Sequence, residues 1–134
     1  MRKTRNTLAL GQEKWLQILQ QTLPRRYEKG FVGVRNFWEL CALPEPVLAE
    51  VAIVHPSFAH DGQGYAAEYI RRRWPDAVIV VIGEQAKRLD DSLYDHKTDG
   101  GISPQELVRL IETWTKAGQQ RSKQARLAIG GALV

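Results

Sequence analysis

Val51-Ala52-Ile53-Val54 and Ala77-Val78-Ile79-Val80-Val81-Ile82 decide the fold of this chain. Both are continuous apolar runs, the second almost wholly β-branched, and His55-Pro56 and Gly83 close them. An unbroken apolar run of this length is the pattern of a strand buried on both faces, as in a parallel sheet covered by helices. Between the two runs, Ala66, Tyr69, Ile70 and Trp74 mark a helix that stops before Pro75. Upstream, Thr7-Leu8-Ala9-Leu10 and Phe31-Val32-Gly33-Val34 are shorter strand candidates. The segment between them, Gln12 to Leu23, carries Trp15, Leu16, Leu19 and Leu23 on one helical stripe that Pro24 ends. Phe37 to Leu43 makes two turns of helix before the Pro44-Glu45-Pro46 breaker.

Downstream, Gln85 to Tyr94 has weak helical character. Ser103-Pro104-Gln105-Glu106 is a capping box with proline at the first helical position. Leu107, Leu110, Ile111 and Trp114 then fall at i, i+3, i+4 and i+7 on an amphipathic face. The expected architecture is therefore α/β and doubly wound, a three-layer sandwich around a parallel sheet of four or five strands. The segment Asp99-Gly100-Gly101-Ile102 looks shortened, so a fifth strand is expected to be reduced or absent. Parallel strands need crossover helices, and chemistry on such sheets collects at the carboxyl ends of the strands. Those ends are Gly11, Gln12 and Glu13, then His55 to Asp61, then Ile82, Gly83 and Glu84.

Composition narrows the function classes. The chain has 134 residues, 43% hydrophobic and 25% charged, which suits one domain with its own core. The expected division is a basic segment 1–5, an α/β domain 6–117 and a basic, then apolar, tail 118–134. A single cysteine, Cys41, excludes an internal disulfide and a cysteine-based zinc site, and is expected to be a small buried residue. No apolar run approaches the ~20 residues of a membrane helix, and no h-region follows the basic N-terminus, so a cytoplasmic location is expected. The net charge of +4 is spread over Arg2/Lys3/Arg5, Arg71-Arg72-Arg73 and Lys116/Arg121/Lys123/Arg126. Solvated helix faces and a basic tail account for this pattern better than a nucleic-acid surface, which needs cations and stacking aromatics on one face. Trp15, Trp74 and Trp114 lie on core stripes, and Trp38 is expected there too.

The span 51–83, with Ile102-Ser-Pro-Gln-Glu-Leu-Val-Arg-Leu-Ile111, resembles a response-regulator receiver domain over roughly residues 6–115. That family transfers a phosphoryl group to an Asp ending the third strand. It uses an acidic pair after the first strand for Mg²⁺, a Thr or Ser ending the fourth strand and a Lys ending the fifth. Mg²⁺ is a hard cation that takes oxygen ligands and offsets the charge of the moving phosphoryl group. On this chain the phosphoacceptor position falls on His55, the acidic pair on Gly11-Gln12 with Glu13 beside it, and the hydroxyl on Ile82 followed by Gly83. No Lys stands directly before Ser103. Asp61-Gly62 matches the family's Asp-Gly turn, where the role is backbone geometry. The resemblance thus implies a degenerate, pseudo-receiver form of the fold without the phosphotransfer site.

The expected function is a non-catalytic interaction module in bacterial two-component-like signalling or transcription regulation, with no catalytic residue, metal or cofactor. Its partners are expected to be proteins, with a possible homodimer through the last two helices. The family's signalling face would here include Lys87, Arg88, Asp91, Tyr94, Arg109 and Glu112. A metal site from His55, His60, Asp61 and Glu13 is the lesser alternative to hydrogen-bonded structural histidines. Two other classes stay open at this level: a small molecule bound at the strand carboxyl ends near Gly11, Gln12, His55 and Gly83, and, ranked last, nucleic-acid binding.

Overall fold

A computed structural model of the chain describes residues 5–58, 62–83 and 94–114. Five strands make one sheet: β1 (Arg5–Leu10), β2 (Phe31–Val34), β3 (Leu48–Val54), β4 (Val78–Ile82) and β5 (His96–Thr98). They run parallel in the order β2-β1-β3-β4-β5. The helices are α1 (Glu13–Thr22), α2 (Arg25–Glu28), α3 (Phe37–Cys41), α4 (Gly62–Arg73) and α5 (104–114). This is the doubly wound, flavodoxin-type order, in which the chain moves outward from β1 to one edge and then returns to build the other.

Alternation along the strands sorts the core into two layers. Leu8, Leu10, Ala52, Val54, Ile79 and Val81 face α3 and α4, where Leu40, Ala66, Ala67, Ile70 and Trp74 complete the cluster. Ala9, Val51, Ile53, Val78, Val80 and Ile82 face α1 and α5, against Leu16, Leu19, Leu107, Ile111 and Trp114. β4 is buried at every position, and so are the last four residues of β3, as their unbroken apolar sequence requires. The stripe of Trp15, Leu16, Leu19 and Leu23 packs inward as its period demands. Ser103 caps α5, its Oγ accepting from the Glu106 amide at 3.2 Å.

Other details of the expected fold need correction, but the fifth strand is formed in the reduced form expected, with only three residues, His96-Lys97-Thr98. Its composition carries no apolar run, and tertiary contacts hold it instead. It pairs with Val80, Val81 and Ile82, and the His96 ring stacks on Trp114 at 5.3 Å. Just before it, Asp95 accepts from the Ile79 amide and from Arg71, both at 2.8 Å. β3 begins three residues earlier than its apolar run, at Leu48. There a bulge interrupts its pairing with β1, and buried Asn6 fills the gap in the ladder. The Asn6 side chain donates to Gly30 O at 3.2 Å and accepts from the Leu48 amide at 2.9 Å. The short α2 has no apolar period to announce it. Trp38 is 82% exposed and Cys41 is also exposed, because α3 buries Leu40 and too little of the rest to cover them. The weakly helical stretch 85–93 lies outside the described residues.

The three consecutive arginines at the end of α4 are not a uniform solvated face. Arg71 donates to Pro75 O and Ala77 O at 3.1 and 3.0 Å besides pairing with Asp95. Arg73 donates to Leu43 O and Pro44 O at 2.8 and 2.9 Å and lies over the Trp74 ring. Only Arg72 points outward, to Glu68, with 79% of its side chain exposed. A hundred degrees per residue turns identical neighbours toward different surroundings. Arg71→Ala should therefore cost about 2 kcal/mol of stability, since it removes bonds from a charged donor to partly buried carbonyls and a carboxylate. Arg72→Ala should cost less than about 0.5 kcal/mol, as an exposed helical pair does. Urea midpoints of the two variants check the contrast.

Candidate functional site

The switch point of the sheet lies between β1 and β3, where the connections leave toward opposite faces. In open sheets of this kind that crevice, at the carboxyl ends, is where ligands bind. Here Gly11 follows the end of β1 and His55 follows the end of β3, and the two strand ends are tied together. The His55 amide donates to Leu10 O at 2.9 Å, and the Gly11 amide donates to Val34 O at 3.0 Å. The turn His55-Pro56-Ser57-Phe58 is closed by the Phe58 amide donating to His55 O at 3.0 Å. Phe58, fully buried among the residues under α4, anchors that turn to the core.

The side chains fill the crevice that this backbone frames. The Trp15 indole, rising from the first turn of α1, stacks on the His55 ring with centroids 4.2 Å apart and planes 22° apart. A Cβ at Gly11 would stand 2.6 Å from Trp15 Cε3 and 3.0 Å from Ser57 Oγ, so no side chain fits there while Trp15 holds its place. Ser57 Oγ accepts from the Gln12 amide at 2.8 Å, joining the end of β1 to the turn after β3. The Ser57 amide donates to His55 Nδ1 at 3.1 Å, and Ser57 Oγ lies 2.7 Å from the same nitrogen. A backbone amide only donates, so Nδ1 is the acceptor and the imidazole proton sits on Nε2. Burial pushes the His55 pKa down from 6.5 to about 4. Near neutral pH His55 is thus an uncharged ring packed against an indole.

On the other side of the crevice, β4 ends at Ile82. Ile82 is fully buried in the layer under α1 and α5. Gly83 has φ +104° and faces Pro56, whose Cγ would lie 2.8 Å from an added Cβ. Its amide donates to Thr98 O at 3.0 Å. In register, Thr98 lies beside Ile82 and ends β5, at the position the resemblance assigns to a lysine. The lysine of this strand, Lys97, is one residue earlier, so it points to the opposite face and is exposed. Among the described residues, Thr98 Oγ1 is buried without a hydrogen-bond partner.

Glu13 does not join this cluster as an acidic ligand. It opens α1, where an acidic group suits the helix N-terminus, and it lies 3.7 Å from Arg35 at the surface. Arg35 in turn holds Glu39: its backbone amide and guanidinium donate to that carboxylate, which keeps the Glu39 pKa below the usual carboxylate range. Among the described residues, no three His, Cys, Asp or Glu side chains are grouped to hold a metal ion. Also among them, no helix is long and apolar enough to cross a membrane. His60, Asp61, Lys87, Arg88 and Asp91 lie outside the described residues. Tyr94 packs partly buried against the layer under α4, while Arg109 is exposed and Glu112 half-buried on α5.

Two members of this site, Trp15 and Ser57, escaped the sequence reading. Trp15 lay on a core stripe, and nothing in the spacing showed that it also reaches across to His55, forty positions away. Ser57 sat inside the candidate segment after β3, but a serine two residues after a histidine has no distinguishing signal.

Solved structures with the same architecture include a signal receiver domain of an HD domain-containing protein from Pseudomonas fluorescens Pf-5. It is 17% identical with a TM-score of 0.73, covering 92% of this chain and 95% of that one. An adenylate cyclase from Rhodopirellula baltica is 12% identical with a TM-score of 0.74, covering 95% of this chain and 98% of that one. No family model matches the chain, and no curated protein matches it.

Two measurements follow from the packing. Gly11→Asp should destabilise the protein by forcing Trp15 off His55, and adding Trp15→Ala should recover part of the loss. A double-mutant cycle reads that coupling directly. Between pH 6.5 and about 4 the unfolded chain binds a proton at His55 that the folded chain refuses. This contribution therefore lowers stability as pH falls through that window and levels off below it. In His55→Gln that part of the pH dependence should vanish, as urea titrations across the window would show. At these low identities the likenesses establish the architecture, and on that basis the chain has a receiver-like α/β fold.

Proposed function

We propose that this chain is a signalling or regulatory interaction module on a receiver-like fold, one that works without phosphorylation on aspartate. The observation that carries the reading is the packed switch point, with Trp15 stacked on His55 over Gly11. Aspartyl phosphotransfer on this fold needs a carboxylate nucleophile, oxygen ligands for Mg²⁺ and open space for a phosphoryl group. At the corresponding places stand a neutral imidazole, a glycine with no room for a side chain, and a buried isoleucine. Neither an electrophile nor a hydrated cation fits between Trp15 and His55 without breaking their stack.

A module of this kind acts through its surface, and protein partners in signalling or transcription regulation are the class proposed. The face described by Tyr94, Arg109 and Glu112, with Lys87, Arg88 and Asp91 in the neighbouring sequence, is one candidate for them. Small-molecule binding at the switch point is the weaker reading, since Trp15, Pro56 and Ser57 occupy that space. Nucleic-acid binding is weaker too, because Arg71 and Arg73 are engaged with backbone carbonyls.

Incubation with acetyl phosphate or phosphoramidate and Mg²⁺, followed by intact-mass measurement, tests the proposal. The unmodified mass is the expected result. A phosphorylated species that disappears in Asp61→Ala or His55→Gln would overturn it.

A further inference from the structure

We draw no further inference here: the strongest candidate, the exposed aromatic patch of Phe37, Trp38 and Tyr65 on α3 and α4, carries nothing because nothing in the structure shows what covers it.

Discussion

Burial of β3 and β4 on both faces is the constraint from which the rest of this structure follows. A strand with no wet face needs helices above and below it. Only crossovers that wind both ways from β1 supply them. That winding fixes where the chain changes direction and so puts the ends of β1 and β3 side by side. In most such sheets the resulting crevice is left open for a ligand. Here an indole stacked on an imidazole stands in it, and a serine hydroxyl binds one strand end to the turn after the other.

The closure has its own internal dependence. Gly11 is needed because Trp15 lies where its side chain would be, and Trp15 stacks there on the His55 ring. His55 stays uncharged because its ring is buried, and its Nδ1 accepts from the Ser57 amide. Ser57 is positioned by a turn that Phe58 pins into the core. A side chain at Gly11 would clash with Trp15, and loss of Ser57 would take the acceptor from the Gln12 amide, so the residues at these strand ends depend on one another.

Much of the fold was legible in the sequence because burial writes itself in composition. The runs ending at Val54 and Ile82, the stripe of α1 and the Ser103 cap each carry a local signal strong enough to stand alone. β5 was not legible: His96-Lys97-Thr98 is a strand only because β4 offers it an edge and Asp95, held by Arg71, fixes its entry. Nor could composition tell Arg71 from Arg72, whose surroundings differ by one step of helix rotation. The exposure of Trp38 and Cys41 was missed for a related reason, since a five-residue helix is too short to have a reliable buried face. At the strand ends, Gly11, His55, Ile82 and Gly83 could be located by their position along the strands. The stack that joins Trp15 to His55 depends on tertiary approach and leaves no trace in spacing.

The most direct test of the central claim, that the switch point is packed shut, is an amide NMR titration with Mg²⁺ and beryllofluoride, a phosphoryl mimic. If the account holds, the Gln12, His55, Ser57, Ile82 and Gly83 resonances stay in place through the titration. Saturable shifts confined to those amides, with loss of the Trp15–His55 contact, would contradict it.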